Sequence, residues 1–182
     1  MTDADGPGWI LVWDASPLHH AIKADRIDVL ADIARLHDGC PRRNVTTVTV
    51  IDELQRHALP VSGLGWLDVE LVDGLPELTA LIRWTERVSA SDHNLGEATV
   101  LAWAEVHGAA AVIDDMDARR AARNAGMAVY GSLRLVANAV AAGRITAYAA
   151  DRFVESLAAS GARYPCQPSR FSEWAKENGL LP

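Results

Sequence analysis

The feature that most constrains how this chain can fold is a series of short apolar runs, several ending at an acidic residue, with helix-period segments between them. Residues 9–14 (WILVWD) and 109–114 (AAAVID) are too short for buried helices and read as strands enclosed on both faces. Residues 44–50 (NVTTVTV) are rich in β-branched side chains and predict a further strand. Residues 66–72 (WLDVELV) alternate, which predicts a strand with one wet face near a sheet edge, and 127–130 (MAVY) predict the last strand. Helical patterns separate these runs. One follows Ser16 and Pro17, with Ser16 as a candidate N-cap. Others follow Pro76, Asn94, Asp115 and Ser132, and the chain after Ile145 is helical with a loop at 161–169. Apolar strands alternating with helices predict an α/β fold: a mainly parallel sheet with helices on both faces.

With 182 residues, the chain is long enough to bury about 70% of its unfolded surface without staples. The expected organisation is a frayed tail at 1–8, one domain over 9–145, and a helical extension over 146–182 packed on that domain. Cys40 and Cys166 are far apart and form no CxxC pair, so neither a disulfide framework nor a zinc knuckle is expected. No apolar stretch approaches the ~18 residues of a membrane span. Acidic residues precede the first apolar run where a secretory signal would be basic, so a cytoplasmic location is expected. A net charge of −7 argues against a broad basic nucleic-acid footprint, while leaving room for local cations around an acidic centre.

The acids are placed tellingly. Asp14 ends the first strand, Glu53 follows the second, Glu97 opens the alanine-rich helix, and Asp114 and Asp115 end the strand at 109–114. Ligands of open α/β sheets bind outside the carboxyl ends of the strands. If Asp14, Glu53, Glu97 and Asp115 converge, each ionised pair at ~5 Å repels by about 3 kcal/mol at an effective dielectric of ~20. Protons or divalent cations must then compensate, and hard oxygen donors suit Mg²⁺ or Mn²⁺. Such an ion activates water and stabilises charge on a phosphodiester. Each acid also has a plainer reading, as a cap, a capping-box partner or a solvated helix residue. Asp114 and Asp117 are auxiliary candidates that equally suit a helix N-terminus.

Segments 12–18 (VWDASPL), 50–54 (VIDEL), 95–98 (LGEA) and 112–122 (VIDDMDARRAA) occur in the order of a PIN domain. Segments 126–136 (GMAVYGSLRLV) and 141–145 (AAGRI) extend the similarity over nearly the whole chain. The sequence resembles the subgroup with an Asp-x-Ser-Pro-Leu opening, related to VapC-like toxin ribonucleases. The resemblance implies a Rossmann-like parallel sheet and a Mg²⁺ or Mn²⁺ site drawn from Asp14, Glu53, Glu97 and Asp115, to which Asp117 is the added metal candidate. It also implies endonucleolytic cleavage of RNA, often by the toxin of a toxin–antitoxin pair, with an antitoxin protein as partner. Glu97 stands where many members carry Asp, a departure that bears on metal geometry.

Arg119 and Arg123 share one helix face and are candidate phosphate contacts, although solvated or salt-bridged arginines fit equally. Ser16 is a candidate for orienting a phosphate or a metal-bound water if it is not simply a cap. The six histidines form no HExxH pattern and are expected at surface or core positions. The six tryptophans are mostly at core positions. The alanine-rich helix after Glu97 is compatible with a homodimer. The competing reading is a catalytically silent PIN-like RNA- or protein-binding module. A dinucleotide-binding Rossmann domain is disfavoured, because the first strand-to-helix turn lacks the glycines.

Overall fold

The computed structural model describes residues 9–37, 39–88 and 95–182. The expected tail at 1–8, His93 and the helix-opening Asn94 lie outside them. Five strands form one all-parallel sheet: β1 (Ile10–Trp13), β4 (Arg43–Thr47), β5 (Asp68–Glu70), β6 (Ala110–Val112) and β7 (Val129–Tyr130). Their order is β5-β4-β1-β6-β7. Val12 of β1 pairs with Val45 on one side and Ala111 on the other. The chain therefore leaves β1 in one direction, towards β4 and β5, and returns to its other side with β6 and β7. This reversal makes the carboxyl end of β1 the topological switch point, where α/β sheets bind ligands.

Helices flank the sheet, as the alternating pattern predicts. They are α1 (Ala15–Lys23), α2 (Ile27–Ala34), α3 (Val48–Arg56), α4 (Leu75–Val88), α5 (Leu95–His107), α6 (Met116–Asn124), α7 (Ser132–Ala141), α8 (Ala147–Ala159) and α9 (Phe171–Glu177). Leu11, Val12 and Trp13 are fully buried, as are Ala110, Ala111 and Val112, so both central runs read correctly as strands covered on two faces. Helix α5 packs on β1, β4 and β6 and along α4. Its small residues, Ala98, Ala102 and Ala104, are all buried within the domain. Helix α8 packs on α1 and α7, and α9 packs on α8. The start of α9 is fixed by Asp151, whose Oδ1 accepts the Ser172 amide and hydroxyl, each at 2.7 Å. Among the described residues no helix is long and apolar enough to cross a membrane, and Cys40 and Cys166 are free thiols.

Three local expectations are corrected. The strand expected over 44–50 stops at Thr47, because the Thr47 hydroxyl accepts the Val50 amide at 3.3 Å and starts α3 at Val48. Three β-branched residues are thereby drawn into the helix junction. The edge strand is shorter than 66–72, and Asp68 and Val69 are both exposed rather than alternating. It is pinned by Arg43, which donates to Asp68 at 2.8 Å and to Glu70 at 2.5 Å. A small antiparallel ladder joins β2 (Leu36–His37) to β3 (Cys40–Pro41) where no strand was expected.

Candidate functional site

Asp14 leaves β1 at the switch point and begins α1. Its main-chain N–H donates to Val112 O at 3.0 Å, locking the end of β1 to β6. Its side chain accepts the Ser16 amide at 3.3 Å, so Asp14 is the cap of α1, and the N-cap reading of Ser16 is corrected. Asp14 is only 3% exposed. Burial pushes its carboxyl up from 3.8 to about 7; the Ser16 and Ala15 amides pull the other way, while Glu53 and Asp114 add to the rise.

Glu53 lies in the second turn of α3, and Glu97 in the first turn of α5. Two buried threonines set the position of that first turn. Thr99 donates to Gly96 O at 2.7 Å, and its hydroxyl meets that of Thr47 at 2.9 Å, tying α5 to the end of β4. Burial pushes Glu97 from 4.5 to about 8, helped by the charges of Asp14, Asp115 and Glu53. Glu97 Oε2 is buried and has no hydrogen-bond partner among the described residues. An unsatisfied buried carboxylate oxygen calls for an explanation, an ion among them. Asp14, Glu53 and Glu97 line one cleft of about 190 Å³ together with Ser16, His19 and His20. The His19 and His20 rings lie 5.2 Å apart, and burial holds both imidazoles below their ordinary value.

Asp114 and Asp115 part ways. Asp115 is the cap of α6: its Oδ1 accepts the Asp117 and Ala118 amides, both at 2.8 Å. It lines a second cleft with Ser16, Glu97 and Asp114. Asp114 is engaged by the far side of that cleft. The Ser132 amide and hydroxyl donate to its two oxygens at 2.7 Å each, the Tyr164 hydroxyl reaches Oδ2 at 3.4 Å, and Arg119 lies 3.8 Å from Oδ1. Burial, then the charge of Asp114, drives the Tyr164 hydroxyl well above its ordinary value, so it remains a donor.

Asp117 does not join either cleft. Its side chain is 85% exposed and pairs with Arg120. Arg119 donates to the carbonyls of Ile113 and Asp114 at 2.9 and 2.8 Å, so it ties α6 to the end of β6 instead of standing free for phosphate. Arg123 opens onto a separate, larger cavity. Three contributors escaped the sequence reading. Gly96 was visible within the segment 95–98 and as a glycine in a helix, where it costs about 1 kcal/mol relative to alanine, but its closeness to Glu53 was not. Ser132 was legible only as the start of a helix and Tyr164 only as a loop residue, because each acts on Asp114 across a long chain separation. Among the described residues, no three His, Cys, Asp or Glu side chains close around a single ion position.

Residues 10–172 match a family model, DUF3368, described as a PIN domain. The chain belongs to the PIN-domain family. The match bears out the resemblance to a PIN domain and the Rossmann-like parallel sheet, and it ends at the first turn of α9. PIN domains are generally nucleases and typically use divalent metal ions. Comparison with curated proteins and with solved structures gave no match.

Proposed function

We propose that this PIN domain is a Mg²⁺- or Mn²⁺-dependent endoribonuclease that hydrolyses RNA phosphodiester bonds at the carboxyl ends of β1 and β6. The observation that carries the reading is Glu97 Oε2, buried without a partner among the described residues, in a cleft it shares with the buried Asp14. The donor set is all hard oxygen, which fits a divalent cation better than a soft metal. Asp14, Glu53 and Glu97 would hold the ion, with Asp115 reaching it from the adjoining cleft. When bound, such a cation polarises the phosphodiester and stabilises the charge that develops during its hydrolysis.

The chain's own groups supply the rest. Burial raises the Asp14 and Glu97 carboxyls above their ordinary values, so cation binding competes with protons and is favoured by rising pH. The Ser16 hydroxyl stands at both clefts and can hydrogen-bond a phosphate oxygen. Arg119 holds the end of β6 against α6, which positions Asp115. A toxin role belongs to this reading, with an antitoxin segment silencing the enzyme by covering the acidic cleft.

The silent-module reading draws on one observation, the absence of three converging ligand side chains among the described residues. Cleavage of a structured RNA pool separates the two. Wild type is expected to cut with Mn²⁺ or Mg²⁺ and to stop in EDTA. Asp14→Asn keeps an acceptor for the Ser16 amide and is expected to lose at least 100-fold in rate while remaining folded. A mutant that cuts as fast as wild type would remove the site from the mechanism.

A further inference from the structure

A cavity larger than the acidic cleft lies beyond the acids. It measures about 750 Å³, between α6, β7, α7 and the C-terminal segment that carries Tyr164 and Trp174. Ligand pockets for small organic groups span roughly 300–1,000 Å³. Its walls are unlike the rest of this acidic chain. Arg123, Arg134 and Arg163 face it, and their guanidinium groups have no hydrogen-bond or ion-pair partner among the described residues. The single acid in the wall, Asp114, is already engaged by Ser132, Tyr164 and Arg119. A local excess of positive charge on a chain of net charge −7 is a specific feature and not a product of composition.

Aromatic rings accompany the cations. Tyr130, Tyr164 and Trp174 line the same cavity. Tyr164 is held in the wall by its hydroxyl, and Trp174 leans on the buried Phe171 with ring centroids 6.2 Å apart. Anchored rings beside unpaired guanidinium groups suit a base with its phosphate, since every base offers a face for stacking. The cavity is bordered, on the side of the acids, by an intermediate cleft. Asp114, Arg163 and Tyr164 form walls of both the cavity and the intermediate cleft, which in turn shares Ser16, His20 and Glu97 with the carboxylate site.

We propose that this cavity is a subsite for one unpaired nucleotide of the RNA, its base against Tyr130, Tyr164 and Trp174 and its phosphate against Arg123, Arg134 and Arg163. The inference rests on the ribonuclease reading and adds a location: the nucleotide flanking the cut is held by α6, α7 and the C-terminal segment. The enzyme then acts on single-stranded or looped RNA, because a paired base cannot enter. An acidic peptide would satisfy the arginines but leave the ring faces unused.

The test is binding of a fluorescent, mixed-sequence eight-nucleotide single-stranded RNA, of about that length, in EDTA, read by anisotropy over a salt series. Arg134→Gln, at an exposed position, is expected to weaken binding about 5- to 10-fold and to reduce the salt slope by about 1. Trp174→Ala is expected to weaken it about 10-fold or more with little change in slope. Duplex RNA of the same length is expected to bind worse than the single strand. Unchanged affinity in Arg134→Gln overturns the proposal whatever happens with Trp174→Ala, which also loosens α9. Equal binding of duplex and single strand overturns it as well. Displacement of the RNA by a polyglutamate peptide, with the peptide's own binding lost in Arg134→Gln, would reassign the cavity to a protein partner. Loss of RNA binding in Arg134→Gln without any metal-dependent cleavage by wild type would keep the subsite and sink the nuclease reading. Cleavage unaffected by Arg134→Gln would do the reverse.

Discussion

Glu53 Oε2 lies 2.7 Å from where a Cβ on Gly96 would stand, and Asp14 Oδ1 lies 3.7 Å from the same point. The backbone of α5 thus passes so close to two carboxylates that only glycine leaves Glu53 where it is. Gly96→Ala removes a helix glycine, which alone favours the fold by up to about 1 kcal/mol. The clash falls on the end of a flexible side chain, so Glu53 can swing away at little cost. The expected outcome is a melting temperature equal to or above that of wild type, with metal-dependent cleavage at least 10-fold slower. Unaltered cleavage would show that the position of Glu53 does not matter.

Burial raises Asp14 to about 7 and Glu97 to about 8. Between their ordinary carboxylate values and these, the folded state holds protons that the unfolded chain has released. The stability tied to these groups is therefore fully present below roughly pH 4 and is lost as pH rises through about 7 and 8. Asp14→Asn takes one titration out. In EDTA, its stability relative to wild type is expected to rise between pH 5 and 8 by about 2 kcal/mol, or roughly 6 °C in Tm. An offset that stays constant across that range would mean that Asp14 titrates as an ordinary surface carboxylate.

Neighbouring acids on one segment are expected to behave oppositely. Asp114 satisfies the amide and hydroxyl of Ser132, which is buried at the start of α7. Asp114→Ala orphans both donors and is expected to cost about 2–3 kcal/mol, with a drop in Tm of roughly 5–10 °C. Asp117 is exposed and makes only an i,i+3 pair with Arg120, so Asp117→Ala is expected to stay within about 0.5 kcal/mol of wild type. Thermal melts of the two variants check the contrast, and equal losses would contradict the roles assigned here.

The parts of the fold that were legible in the sequence depend on burial along a continuous run. β1 and β6 are apolar throughout because both faces are covered, and the carboxyl ends of such strands point to where Asp14 and Asp115 belong. What was not legible depends on contacts between distant residues. Thr47 ends β4 early by capping α3, a choice that the β-branched run at 44–50 conceals. Arg119 looked like a phosphate contact from its helix face, yet it is drawn back to the carbonyls of Ile113 and Asp114. Asp114 looked like an auxiliary ligand, but Ser132 and Tyr164 reach it from far along the chain. The closeness of Glu53 to Gly96 depends on how α3 and α5 pack, and no spacing in the sequence encodes that.

Calorimetric titration with Mn²⁺ shows whether Asp14 and Glu97 hold a divalent cation. Wild type and Asp117→Asn are expected to give the same saturable isotherm, with proton release that varies with buffer. Asp14→Asn and Glu97→Gln are expected to show no saturable binding. Identical isotherms in all four proteins, or no binding in wild type, would contradict the account.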